Sequence, residues 1–506
     1  MRRTVAALCL LLALPLGAQQ RAVSLPDEAP GRIRRYVELV TAGETLRGAQ
    51  LSVLALTADG DTLVAWEHDR RLIPASNTKL VTTALALHEL GPDYRFETRL
   101  ACAGPVEDGV LQGDLYIVGG GDPTLGVTDP EATPLRTLFG EWKKILSDAG
   151  IRRIEGRVVG DGRFLDGPIE QDTWMYQDLG TYYGAGGNGL SFYRNILDVR
   201  VAAGAKPGDP VSVTPAYPEL PWLRFSSTAR TSAKGTGDKL YLFGTDLAPV
   251  AEMRGTFAVD RSPKKEECSN KFGALTCAHY FRKFLSENGI PSAGIADVTA
   301  ASRLRSETFE DLGPAEDDLR VLGRTLSPTL LQIAARTNAR SDNFYAETLY
   351  RTLSRVKNGS ADYAVCPLAE AAALRRLGLD PSAVRIVDGS GLSRDNGISP
   401  DFLCAFLRRM TDSPVFGDFL STLSRPGGPG YTGRLQNEAP ALKERIRYKS
   451  GSMEGVRCYS GYVLPSVGGA EEDVIVFSVM LNNCIAPTWA FLPLIDKIIA
   501  LIAMEN

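Results

Sequence analysis

Residues 71–90 read RLIPASNTKLVTTALALHEL, and within them Ser76 and Lys79 stand three apart at what reads as the start of a helix. Pro74 pre-sets the entry, and helix-favouring residues with apolar Leu80, Leu85 and Leu87 follow. Positions i and i+3 share one helix face, so the Ser76 hydroxyl and the Lys79 amine come within reach of each other. A serine is a weak nucleophile until a base takes its proton, and a lysine with a lowered pKa is such a base. The first turn also presents free N–H groups and the positive end of the helix dipole to developing negative charge. Taken alone, Ser-x-x-Lys is a common spacing that equally describes an exposed helix start. Partners elsewhere in the chain must decide between the two.

Composition narrows the choice of partners. The chain has 506 residues and only three histidines, His68, His88 and His279, none in a nucleophile or metal-binding pattern. A Ser-His-Asp site or a zinc site has little to draw on, so neither metal nor organic cofactor is expected, and lysine is the favoured base. A net charge of −4 argues against a nucleic-acid partner, and 44% apolar with 23% charged residues is an ordinary globular balance with length for two or three domains.

At the N-terminus, Arg2 and Arg3 precede an apolar run from Val5 to Leu16 that ends in Leu16-Gly17-Ala18. The run is too short to span a bilayer and reads as a secretory signal, residues 1–18, so the expected location is exported, in the periplasm or cell envelope. Cys9 lies in the run without a convincing lipoprotein box. Seven of eight cysteines would remain after export, an odd number. Cys268 and Cys277 are close enough to close a small loop, and isolated buried thiols are the alternative.

AQLSVLALTADGDTLVAWEHD, residues 49–69, gives two strand-like runs around an Asp-Gly-Asp turn, a hairpin leading into the Ser76 segment. Beyond Thr98 come a strand, the run Gly119-Gly120-Gly121, a helix over 137–149 and the strand-like IEGRVVGDG. The glycine run lacks the Gly-Lys-Ser ending of a P-loop and reads as a turn. Residues 197–260 alternate short strand-like pieces with Gly and Pro turns, and a helix follows over 277–288. From about 318 helices dominate, at 328–335, 343–353, 364–377 and 400–411, before strand-like runs near Arg447, Gly461 and 474–481 and a terminal helix from Trp489. The expected fold class is multi-domain α/β, with one antiparallel sheet shared by the two chain ends and flanked by helices. The expected domains are 19–98 with 318–506 (catalytic), 99–196 with 261–317 (inserted α/β) and 197–260 (small β-rich).

Two further motifs complete the first. Ser341-Asp342-Asn343 opens a predicted helix, and Lys449-Ser450-Gly451 lies on a predicted strand. Read singly, one is an N-cap and the other a basic edge strand running into a turn. In order, Ser-x-x-Lys, Ser-x-Asn and Lys-Ser/Thr-Gly form the set of penicillin-binding proteins and serine β-lactamases.

With these residues the chain resembles the penicillin-binding protein 4 group of D-alanyl-D-alanine carboxypeptidases and endopeptidases, the S13 peptidases. PASNTKLVTTALAL, GGGDPTL, DLGTYYGAGGNGLSFYRN, LSPTL, SDNFYAETL and VDGSGLSRDNGISP all read like segments of that family, across nearly the whole mature chain. The separation of 265 positions from Ser76 to Ser341 fits a family with a large insertion rather than a compact β-lactamase. The resemblance implies a transpeptidase-like domain, peptidoglycan peptides ending in D-Ala-D-Ala or cross-linked peptides as substrates, β-lactams as covalent inhibitors, and peripheral membrane or cell-wall association as compatible. The third motif departs from the family's usual Lys-Thr-Gly-Thr, because Ser450 and Ser452 keep the hydroxyls without the methyls. GPGYTGRL around Thr432 departs from the usual Gly-Thr-Leu. VDGSGLS is no Gly-x-Ser-x-Gly elbow, since Asp388 and Leu392 occupy the outer positions, and the resemblance makes it a loop bordering the site.

The chemistry of each group suits that reading. Lys79 takes the proton of Ser76, which attacks the carbonyl between two D-alanines to form an acyl-enzyme. Ser341 passes the proton to the leaving amine, and Asn343 binds a substrate amide and positions Lys79. Lys449, Ser450, Gly451 and Ser452 form the substrate-binding strand. There Lys449 lowers the Lys79 pKa by like-charge repulsion and, with Ser450, attracts the terminal carboxylate. Backbone N–H groups of Ser76 and Ser452 hold the oxyanion. The competing readings are a serine β-lactamase or esterase on the same fold and a non-catalytic peptidoglycan-binding protein. Cephalosporin turnover marks the first. The second has no need of all these side chains together.

Overall fold

The structure is a computed structural model that describes residues 29–305, 313–428, 435, 442–466 and 474–505. The apolar N-terminal stretch read as a signal, and most of GPGYTGRL around Thr432, lie outside them.

Both ends of the chain build one antiparallel sheet, in the order Ile446–Met453, Val456–Val463, Ile475–Asn482, Gln50–Leu56, Thr62–Trp66. Its alternation is set by residue type. In Ile475–Asn482, Ile475, Phe477, Val479 and Leu481 face one core with the Ala29–Thr41 and Thr488–Ala503 helices, while Val476 and Met480 face the other. The second core holds the helices Thr78–Leu90, Leu330–Arg340, Asn343–Asn358 and Pro400–Thr411. An antiparallel sheet with helices on its two faces is the architecture the sequence pattern led us to expect.

The Thr78–Leu90 helix lies at the centre of that second core, with every residue from Thr78 to Leu87 buried. Helices surround it, so its threonines are buried along with its leucines and must find partners. Thr82 Oγ1 donates to the Gly389 carbonyl at 2.7 Å and Thr83 Oγ1 accepts from Asn338 Nδ2 at 3.0 Å. A helix enclosed in this way is a rigid mount for the residues at its N-terminus. Each buried leucine contributes roughly 2 kcal/mol to holding it there.

The middle of the chain forms separate sheets. One has the order Gly294–Val298, Arg157–Asp161, Leu115–Gly119, Glu97–Cys102, Arg320–Leu326, parallel across its first three strands and antiparallel thereafter. The Leu135–Asp148 and Gly273–Glu287 helices cover it through Phe139, Trp142 and Phe281. Two smaller sheets follow between Ile196 and Ser269, one centred on Ile196–Ala202 and the other on Ala248–Ala258. Loop residues of this segment lie against the Asn343–Asn358 helix, where Arg351 donates to the Gly187 and Asp166 carbonyls. Among the described residues all seven cysteines are buried and free, so the loop closure considered for Cys268 and Cys277 is not made.

Candidate active site

Ser76 does not open an α-helix directly. It sits in a 3-10 turn, Ala75–Asn77, that runs into the helix at Thr78, and Ala75 takes a left-handed φ of 47°. The turn is anchored from below: Asn77 Nδ2 donates to Ser460 Oγ at 2.7 Å, and Ser460 Oγ to Ser478 Oγ at 2.9 Å. Asn482 brackets Ile73 through both backbone groups. The serine is thereby fixed to the sheet on one side and to the helix on the other.

Lys79, one turn on, is fully buried and its Nζ has three neighbours: Ser76 Oγ at 3.0 Å, Asn343 Oδ1 at 2.7 Å and the Ser390 carbonyl at 2.7 Å. All three accept hydrogen bonds. Two of them have no proton to give back, so a neutral amine donates to Asn343 and Ser390 and turns its lone pair to the Ser76 hydroxyl. That is the geometry of a base facing its nucleophile.

Ser341 ends the Leu330–Arg340 helix in the left-handed conformation, φ 55°, and Asp342 caps the next helix by accepting from the Tyr345 N–H at 3.2 Å. A chain reversal between two helices thus turns Ser341 and Asn343 to the same cavity. Lys449 Nζ donates to Ser341 Oγ at 2.9 Å and to its neighbour's carbonyl, Ser450 O, at 2.7 Å. Gly451 is where the strand passes the nucleophile turn. A Cβ there would lie 2.5 Å from the Pro74 carbonyl oxygen and 3.1 Å from the Ser76 nitrogen, so only glycine fits. Gly391 meets a similar limit against the Ala75 carbonyl.

The cavity in front of these groups has a volume of about 840 Å³. Ser76, Ser341, Asn343 and Ser452 are on its wall, with Lys79 and Lys449 buried directly behind. Ser450 and Gly451 are not on that wall, and Ser450 contributes its carbonyl to Lys449 instead.

Burial pushes Lys79 down to about 8, against the opposing pull of the Glu347, Asp388 and Asp342 carboxylates. Lys449 lies well below its ordinary range, first through burial and then through the charge on Lys79. The like-charge repulsion expected to act on Lys79 bears on Lys449; for Lys79 burial is the main cause.

Sequence reasoning missed several residues that shape the site. Glu347 is buried behind the VDGSGLS loop, where its oxygens accept from the Ser390 N–H at 2.7 Å, the Gly389 N–H at 3.1 Å and the Tyr363 hydroxyl at 3.0 Å. Burial, with Asp388 second, pushes Glu347 up to about 7. Asp388 in turn accepts from the Gly391 and Ser393 N–H groups and from Trp174 Nε1. Together they fold the loop so that the Ser390 carbonyl points at Lys79. A lone glutamate on a helix gives no sign of this in sequence, whereas the family resemblance marks VDGSGLS as a loop bordering the site.

The family described as D-Ala-D-Ala carboxypeptidase 3 (S13) matches residues 34–490. The chain is 27% identical to a D-alanyl-D-alanine carboxypeptidase of Actinomadura sp. over 504 residues, covering 96% of this chain and 88% of the relative. It is 22% identical to the D-alanyl-D-alanine carboxypeptidase DacB of Haemophilus influenzae, covering 86% of each. The crystal structure of penicillin binding protein 4 (dacB) from Haemophilus influenzae superposes with a TM-score of 0.77 at 18% identity, over 93% of this chain and 99% of that one.

Proposed function

Since the chain belongs to the D-Ala-D-Ala carboxypeptidase 3 (S13) family, we propose that its serine peptidase chemistry runs through an acyl-enzyme on Ser76. The observation that carries this is the 3.0 Å contact between Lys79 Nζ and Ser76 Oγ, with Asn343 and Ser390 occupying the other directions of the amine.

Lys79 takes the Ser76 proton as Oγ attacks the carbonyl carbon of the penultimate D-alanine. The tetrahedral oxyanion is held by the N–H groups of Ser76 and Ser452, each worth roughly 3 kcal/mol by analogy with other oxyanion donors. Ser341, hydrogen-bonded to Lys449, hands a proton to the nitrogen of the departing D-alanine as the C–N bond breaks. Ser341 takes the proton that Lys79 removed from Ser76, so Lys79 is neutral again; it then takes a proton from the water that attacks the acyl carbon and returns it to Ser76 as the ester bond breaks. Asn343 orients both Lys79 and a substrate amide. Lys449 supplies positive charge toward the substrate carboxylate from the strand of Ser450, Gly451 and Ser452. Substrates are peptidoglycan peptides, terminal or cross-linked, and β-lactams acylate the same serine. We read residues 97–326 as inserted into the catalytic domain, a little wider than 99–317 because Arg320–Leu326 pairs with Glu97–Cys102, and Tyr182, Tyr183 and Arg194 of this segment wall one side of the cavity. Among the described residues no helix is long and apolar enough to cross a membrane. Export through residues 1–18 to the periplasm or cell envelope, with peripheral membrane or cell-wall association, accords with the substrate.

Labelling the purified protein and Ser76→Ala with a fluorescent penicillin, followed by intact mass, tests the reading. One adduct per chain, absent from the variant, is expected. An adduct retained in Ser76→Ala places the nucleophile elsewhere, and rapid penicillin consumption without an adduct makes the protein a β-lactamase.

A further inference from the structure

Three consecutive residues of the middle segment, Tyr193, Arg194 and Asn195, have φ of 52°, 54° and 51°. None is glycine, and for L-residues each such conformation is unfavourable, with only asparagine tolerating it well. A single turn of left-handed backbone persists only where the surroundings over-determine it. Here they do. Asn195 Oδ1 accepts from the Phe192 N–H at 3.1 Å and its Nδ2 donates to the Gly186 carbonyl at 3.0 Å, while the Tyr193 N–H reaches the Leu125 carbonyl at 2.8 Å.

The turn delivers one side chain to the active site. Arg194 Nη2 stands 2.8 Å from Asp342 Oδ2, with the Asp342 side chain 1% exposed and that of Arg194 19%. The nearest other cation, Arg336, is 4.0 Å from Asp342 and is engaged by Asp129 at 2.7 Å. Asp342 lies between Ser341 and Asn343, and its second oxygen caps the helix that carries Asn343. The same segment touches the motif again, where Asn343 Nδ2 donates to the Tyr183 carbonyl at 3.0 Å. The reversal at 341–343 is therefore gripped from the middle segment at two points, one of them a nearly buried ion pair.

We propose that Arg194 is a positioning residue: its guanidinium holds Asp342 and so sets Ser341 against Lys449 and Asn343 against Lys79. Arg194 does no chemistry of its own. The strained turn is the means by which the middle segment completes the catalytic arrangement, which ties activity to the docking of that segment. This rests on the acylation reading above, in which Ser341 and Asn343 serve the attack by Ser76.

The test is single-turnover acylation by a fluorescent penicillin in the full chain, with Arg194→Gly and Arg194→Lys beside the wild type. Glycine removes the guanidinium and suits φ 54°, so the substitution adds no backbone strain and its effect comes from the lost ion pair with Asp342. End-point stoichiometry counts competent sites, and the limiting rate per site reports positioning. Arg194→Gly is expected to keep near-full stoichiometry and the wild-type half-saturating concentration, while the limiting rate falls about tenfold to a hundredfold. Arg194→Lys is expected to recover most of that loss. A wild-type limiting rate in Arg194→Gly overturns the inference, as does a loss confined to stoichiometry, which marks a structural role. A rise confined to the half-saturating concentration marks a ligand-binding role and also overturns it. If the wild type itself forms no adduct, the acylation reading fails and the inference falls with it; if only the variants behave as wild type, the inference fails alone.

Discussion

Lys449 donates from Nζ to the hydroxyl of Ser341 at 2.9 Å, across 108 positions of sequence and between a sheet strand and a helix-to-helix reversal. Lys79 and Ser76 make the corresponding pair at 3.0 Å on the other side of the cavity. Two buried lysines each facing a serine hydroxyl give the site a proton acceptor for attack and a proton path to the leaving group.

The first consequence concerns Lys449. Lys449→Ala should weaken turnover of peptides with a free terminal carboxylate more than of the same peptides amidated. The difference is about 2 kcal/mol, or about thirtyfold, typical of a hydrogen bond to a charged group. Paired kcat/KM measurements on the two substrates decide it, and equal losses on both would remove carboxylate recognition from Lys449.

The pH dependence follows from Lys79. Its amine is a base only when neutral, and burial brings its pKa to about 8. The acylation rate should rise about tenfold per pH unit below 8 and level off above it. The stability relation has a definite sign as well. The unfolded chain keeps the proton up to an ordinary 10.5 and the folded chain only to about 8, so the contribution of this group is complete above 10.5 and is lost as pH falls through 8. A pH series of fluorescent-penicillin labelling checks the kinetic part, and a rate that falls with rising pH below 8 would contradict it.

Glu347 adds to this. Its carboxylate is the largest of the charges holding the proton on Lys79. Glu347→Gln should therefore move the midpoint of the acylation profile to lower pH. The amide cannot accept from both the Ser390 and Gly389 N–H groups, so Tm should also drop, for a cost of about 1–3 kcal/mol. A midpoint that stays in place or moves up in the labelling series would separate Glu347 from Lys79.

Gly451→Ala tests the packing of the strand on the nucleophile turn. The added methyl meets the backbone of the nucleophile turn, the Pro74 oxygen at 2.5 Å and the Ser76 and Asn77 nitrogens at 3.1 Å, and none of these can swing away. The strand must shift, at about 1–3 kcal/mol in stability, and acylation should slow about a hundredfold. Gly417→Ala, where a Cβ meets nothing within 4 Å, is the control for labelling rate and Tm.

Much of this protein was legible in its residues. The hairpin at 49–69, the helix after Ser76, the helices from 328 to 411 and the closing strands are all local patterns, and each appears close to where alternation, capping residues and turns placed it. The three motifs are equally local, because nucleophile and base stand one turn apart, Ser341 and Asn343 flank a helix-to-helix reversal, and Lys449-Ser450-Gly451 lies within one strand. Tertiary structure decided what spacing cannot express. Ser76 lies in a 3-10 turn because the sheet pins Asn77 from below. Lys79 is lowered by enclosure rather than by Lys449, since desolvation depends on everything packed around a group and not on its neighbours in sequence. Glu347 and Arg194 gave no signal of their own, because a single charged residue carries no periodicity, and for Asp388 only its loop was marked. Their roles come from folding segments far apart in the chain against one cavity, where an unpaired charge would be costly and each must find its partner.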